Sequence, residues 1–147
     1  MRFLKFGPAG GPFDDIEPIS TGDADKQNIS TIQVFTGETI DRIIVKYMLG
    51  TSSFSIQHGE SGGGGANPVF VTDGEPITAV EGYVGIFDTT VEIKGLLFRT
   101  PRKVSAFFGH QTAAPFLFQA PPNGEIFAFF GRKGLFLDAL GVHVRLP

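Results

Sequence analysis

The sequence predicts an all-β fold, and three observations carry that reading. Gly and Pro are abundant, short runs rich in Val, Ile, Phe and Thr lie between them, and no useful window places apolar residues at helical spacing. Of 147 residues, 20 are Gly, 10 are Pro and 16 are Phe, while Cys and Trp are absent. The apolar share of 41% is ordinary for a folded chain. The length suits one buried core and no composition shift marks a linker, so residues 1–147 are read as a single domain.

Taken in order, strands are expected at 2–6, 28–35, 41–48, 53–57, 68–72, 77–83, 90–99, 105–108, 116–119, 125–130 and 138–146. Several alternate. Ile29-Ser30-Thr31-Ile32-Gln33-Val34 and Val91-Glu92-Ile93-Lys94 interleave polar with apolar residues, as half-buried strands do. Turns are expected at Gly10-Gly11-Pro12, 62–65, Asp73-Gly74, Pro121-Pro122-Asn123-Gly124 and 131–134.

Composition also excludes partners. A chain without Cys cannot rest on disulfides or thiolate metal sites, and no cofactor is called for. The net charge of −3 comes with scattered Lys and Arg, so no basic stripe exists to neutralise nucleic-acid phosphates. The first residues, Met1-Arg2-Phe3-Leu4-Lys5-Phe6, form no apolar core before Gly7-Pro8. No signal peptide or membrane insertion is therefore expected, which points to the cytoplasm or to unconventional secretion. Asn28-Ile29-Ser30 matches a glycosylation acceptor but falls within a strand, where a chance tripeptide is the simpler reading.

An internal repeat organises the chain. Phe35-Thr36-Gly37-Glu38-Thr39-Ile40-Asp41-Arg42-Ile43 and Arg132-Lys133-Gly134-Leu135-Phe136-Leu137-Asp138-Ala139-Leu140 both contain Gly-x-x-x-Asp leading into an apolar strand. A related stretch between them, Gly82-Tyr83-Val84-Gly85-Ile86-Phe87-Asp88, lacks that spacing. Three similar units imply three sheets with approximate threefold symmetry.

The repeated motif suits a sugar. A pyranose presents hydroxyls that donate and accept, and it needs a fixed carboxylate beside backbone N–H donors. The Gly permits a tight loop whose next N–H groups point outward, and the Asp brings its carboxylate to the same hollow. The Gly10-Gly11 and Gly62-Gly63-Gly64-Gly65 loops supply one close-approaching backbone for each motif. The plain alternative is that Gly and Asp here are ordinary turn residues.

The run from Phe130 to Val142, with Gly134, Leu135, Phe136 and Asp138 at its centre, resembles the carbohydrate-binding segment of jacalin-related lectins. Gly10-Gly11-Pro12-Phe13-Asp14-Asp15 is similar to their N-terminal Gly-rich loop. Tyr47, His58-Gly59, Glu75, Val80-Glu81-Gly82, Leu97-Phe98-Arg99-Thr100 and Phe107-Phe108-Gly109 follow in that family's order, so the resemblance spans almost the whole chain. It implies a β-prism of three four-stranded antiparallel sheets with pseudo-threefold symmetry and sugar sites at one end. In the principal site it implies Asp138 as acceptor for two sugar hydroxyls, Leu135 and Phe136 as backbone donors in the Gly134 loop, and Gly11 as a donor facing them. A second site would use Gly37, Glu38, Thr39 and Asp41, faced by Gly62 or Gly63. Family members selective for galactose rely on a cleaved chain and large aromatics beside the Asp. Here the chain is continuous around Gly10 and has Leu135 in that place, so the resemblance favours mannose- or glucose-containing glycans and glycoproteins. The loop after Gly11 is a little shorter than the family's, which leaves open the Gly that faces the sugar. Glu38 adds a charge to the second motif whose sign of effect stays open.

Two rivals to a lectin remain: a β-prism that serves as a structural or protein-interaction module, and an enzyme acting on glycosides. Glycoside hydrolysis needs two placed carboxyls, and Asp14, Asp15 and Glu17 cluster on a loop where turn and solvent roles are expected. His58, His110 and His143 are far apart in sequence and lack metal-ligand spacing, and His143 is expected at the surface. Ser61-Gly62 lacks a nucleophile-elbow context and 62–65 lacks the following Lys-Ser/Thr of a phosphate loop. A shallow site binds a monosaccharide weakly, at roughly millimolar affinity. Useful avidity then calls for two sites per chain or a homo-oligomer.

Overall fold

The computed structural model describes residues 3–6, 13–16, 26–60, 63–87 and 89–147. Among them there are strands and no helix: β1 (Phe3–Phe6), β2 (Phe13–Asp14), β3 (Gln27–Thr36), β4 (Ile40–Leu49), β5 (Ser52–His58), β6 (Gly65–Ala66), β7 (Phe70–Val71), β8 (Ala79–Phe87), β9 (Thr90–Arg99), β10 (Phe108–Gly109), β11 (Ala114–Gln119), β12 (Glu125–Lys133) and β13 (Leu137–Arg145). They form three antiparallel sheets, β1-β13-β12-β2, β5-β4-β3-β6 with β7 also on β3, and β10-β9-β8-β11.

Each sheet repeats one plan. A central hairpin (β12–β13, β3–β4 or β8–β9) carries β1, β5 or β10 beside its second strand. The first strand carries β2, the β6 and β7 pair, or β11. The middle sheet contains five strands rather than the expected four because β6 and β7 divide one edge of β3 between them. Its width is still four. Each expected strand overlaps an observed one, but that expected at 105–108 shares only Phe108 with β10, and β2 and β6 were not legible. A two-residue segment carries no period of its own and takes its pairing from the edge it meets.

The core explains the Phe content. Phe98 on β9 meets Phe70 of the middle sheet at 6.3 Å between ring centroids and Phe129 of the first sheet at 6.2 Å, so one buried ring joins all three sheets. Bulges keep the inward pattern where the sequence spacing slips. Ile29 and Ile32 are both buried three residues apart because the register steps between Ile29/Tyr47 and Thr31/Lys46.

A buried polar joint ties the first sheet to the second. Asp15, which is 2% exposed, accepts from the Tyr47 hydroxyl, and its carboxylate lies 2.8 Å from His58 Nε2. The Tyr47 oxygen in turn accepts the Phe129 N–H at 3.2 Å, and the Phe13 ring stacks on His58 at 3.6 Å. Burial first, then the Asp15 charge, pushes the Tyr47 phenol well above its usual value, so it stays a donor. His143 is buried at 5% with Nε2 2.7 Å from Asp14 Oδ1. These findings correct the expectation that Asp14 and Asp15 are solvent groups and that His143 lies at the surface. Asp15 faces the neighbouring sheet, while Asp14 and His143 meet across β12, and an unsatisfied polar group in either place would be costly. Glu17 lies outside the described residues.

Two glycines mark equivalent corners of the repeat. Gly59 follows β5 at φ +96° and Gly109 ends β10 at φ +94°, and a Cβ at either would fall 2.3 Å from a backbone carbonyl oxygen, of Asp41 or Lys94. Gly109→Ala is expected to lower unfolding free energy by about 1–3 kcal/mol from the backbone conformation alone, with the clash added. Urea denaturation measures this, and an unchanged midpoint would show that the corner relaxes freely.

Candidate carbohydrate site

The two Gly-x-x-x-Asp motifs form the turns of two central hairpins, and their Asp residues occupy the same unusual backbone position. Arg132 pairs with Ala139 and Lys133 with Leu137, so Asp138 is the extra residue of a β-bulge. Phe35 pairs with Arg42 and Thr36 with Ile40, which places Asp41 identically. A bulge re-aims one side chain without disturbing the strand beyond it. Each Asp is thus the second residue of its strand rather than the first, with Leu137 or Ile40 before it buried in the core. The third hairpin starts β9 at Thr90, with Val91 where the other two have Asp.

The neighbouring sheet braces each motif loop. The Glu60 N–H donates to both the Gly134 and Leu135 carbonyls at 3.0 Å, and Gly134 N–H closes the turn on Phe136 O at 3.0 Å. Among the described residues, nothing accepts from the N–H groups of Leu135 and Phe136, which stay available as donors. The second loop is held from the third sheet. His110 Nε2 lies 2.9 Å from Gly37 O, Lys94 Nζ donates to Glu38 O, and Thr39 Oγ1 donates to Ile93 O at 2.8 Å. Loops fixed beforehand reduce the ordering cost of binding.

Around Asp138 the surface opens into a cleft of about 270 Å³ lined by Phe87, Thr90, Glu92, Leu135, Phe136 and Asp138. That is below the roughly 300–1,000 Å³ usual for drug-sized ligands and suits a single ring. Leu135 is 66% exposed at its rim, and Phe136 meets Phe87 edge to face at 5.3 Å between centroids. The structure therefore brings Gly134, Leu135, Phe136 and Asp138 together, while Gly11 lies outside the described residues.

Asp41 sits differently. It is 5% exposed, and the Gly64 backbone presses so closely that a Cβ there would fall 2.4 Å from Asp41 Oδ2. Gly37 and Glu38 are exposed and Thr39 is buried. Gly63 is exposed beside this loop, and Gly62 lies outside the described residues.

Three cleft residues were not read from the sequence: Phe87, Thr90 and Glu92. All come from the third hairpin, whose turn lacks the motif yet forms the wall opposite it. Glu92 also reverses the expected alternation, being 3% exposed while Val91 is 52% exposed. The Asp138 cleft covers the Glu92 face of β9, and Val91 stands near the open end of the strand. Burial raises the Glu92 carboxyl from 4.5 to about 8, aided by the hydrogen bond and charge of Asp138 and opposed by Lys94.

Three sheets around one core, with carboxylate-bearing hairpin loops at one end of the strands, define the class of β-prism lectins. The chain belongs to the jacalin-related lectins: residues 5–143 match the Jacalin-like lectin domain. Horcolin of Hordeum vulgare subsp. vulgare is 30% identical over 149 aligned residues, covering 96% of each chain. The wild-type Malaysian banana lectin superposes with a TM-score of 0.78 at 28% identity, over 99% of each chain. A mannose-specific jacalin-related lectin from Morus nigra, solved in complex with mannose, gives 0.77 at 27% identity, over 99% of this chain and 93% of that one.

Proposed function

We propose that the chain binds mannose- or glucose-type hexoses, without chemical change, at the loop from Gly134 to Asp138. The observation that carries this reading is the bulge that turns a half-buried Asp138 carboxylate into a monosaccharide-sized cleft, beside the N–H groups of Leu135 and Phe136, which donate to none of the described residues. Carboxylate and amides supply the acceptor and donors that adjacent sugar hydroxyls require. Gly11 is the proposed facing donor. The buried Asp15, Tyr47 and His58 cluster is closed to solvent, which favours a structural role over catalysis. The binding family and the mannose complex of the Morus nigra relative support the sugar assignment.

The second site, at Gly37, Glu38, Thr39 and Asp41 with Gly62 or Gly63 opposite, is proposed as the weaker one, because the backbone of Gly64 closes over its carboxylate. Calorimetry with methyl α-mannoside tests both. The expected result is two binding steps per chain, with Asp41→Ala deleting only the weaker. A single step in the unmodified protein, unchanged by Asp41→Ala, would remove the second site. Glycoproteins bearing such hexoses are the proposed partners, reached with avidity through paired sites or a homo-oligomer.

A further inference from the structure

Glu92 stands outside the motif yet shares its cleft. It is 3% exposed, and its Oε2 is buried with no hydrogen-bond partner among the described residues. We infer, resting on the sugar site proposed at Asp138, that Glu92 is a positioning residue of that site. Its carboxyl O–H donates to Asp138 and holds that carboxylate in the orientation a hexose needs, and binding is lost when the proton leaves.

The charge distribution supports this division of labour. If both carboxyls were ionised, like charges would face each other in the cleft with one oxygen left unsolvated, an arrangement disfavoured by burial and by repulsion. A proton on Glu92 removes both penalties. Asp138 is the more exposed of the two and is the side chain that reaches the open cleft. An ionised carboxylate has about four lone-pair sites, so accepting from Glu92 leaves room for two sugar hydroxyls.

The other charged groups around Glu92 do not replace that proton. On its own strand, Lys94 opposes the effect, but its amino group donates to the Glu38 carbonyl. On β8 the residue opposite Glu92 is Gly85, with nothing to ionise. The motif loop contributes Gly134, Leu135 and Phe136, also without charge. From β12, exposed Arg132 lines the adjoining apolar cleft that also contains Asp138. Burial and Asp138 place the Glu92 transition at about 8.

The test is a pH series of methyl α-mannoside binding by calorimetry, paired with carbon NMR of the side-chain carboxyls in sugar-free protein. Affinity is expected to hold steady from neutral pH to about 8 and then to fall roughly tenfold for each further pH unit. Glu92→Ala is expected to bind roughly tenfold more weakly at neutral pH, and Glu92→Gln, which keeps an N–H donor, to recover most of that loss. Both variants are expected to lose the alkaline fall. The inference is overturned if the fall persists in Glu92→Gln, if both substitutions weaken binding equally, or if the Glu92 carbon titrates in the ordinary carboxylate range. Absence of binding at every pH while Glu92 titrates near 8 would instead remove the sugar site itself, and this role with it.

Discussion

Asp138→Ala is expected to abolish hexose binding at the cleft while the protein stays folded. The substitution removes the acceptor of two charge-assisted hydrogen bonds, each about 1.5–3 kcal/mol. Together they amount to roughly two to four orders of magnitude in affinity, and a site that starts near millimolar then falls beyond detection. The fold should persist because Asp138 stands outside the ladder register, while Leu137 and Leu140, which pack in the core on either side, are untouched. Calorimetry reads the loss and circular dichroism the fold. Retained affinity in a folded Asp138→Ala protein would show that the acceptor lies elsewhere.

Asp15→Ala is expected to produce the largest loss of stability, about 3–5 kcal/mol, as when one partner of a buried polar pair is removed. It strands the Tyr47 hydroxyl and His58 Nε2, both fully buried, without their shared acceptor. It also weakens the joint between the first and second sheets, since Tyr47 and His58 belong to β4 and β5. Guanidinium denaturation measures the change. A loss below about 1 kcal/mol would mean that hydrophobic packing alone holds these sheets together.

The strands and both motif loops were legible because their signals are local. Alternation marks a strand wherever one face meets the core, and Gly-x-x-x-Asp marks a loop whatever packs against it. The repeat further revealed three units, since the same hairpin plan was written along one chain. What stayed hidden depends on distant neighbours. Glu92 reads as a solvent residue until the loop of another hairpin covers its face. Asp15 and His143 read as surface groups until Tyr47, His58 and Asp14 supply buried partners. The unequal accessibility of Asp41 and Asp138 follows from where Gly64 passes, which two identical motifs cannot disclose.

One measurement tests the central claim most directly: a crystal structure of the protein grown with saturating methyl α-mannoside. The expected map shows the hexose in the cleft beside Phe136, with two adjacent hydroxyls on the Asp138 carboxylate and the Leu135 and Phe136 amides donating to the ring's neighbouring oxygens. A hexose bound elsewhere, with the loop from Gly134 to Asp138 empty, would contradict it.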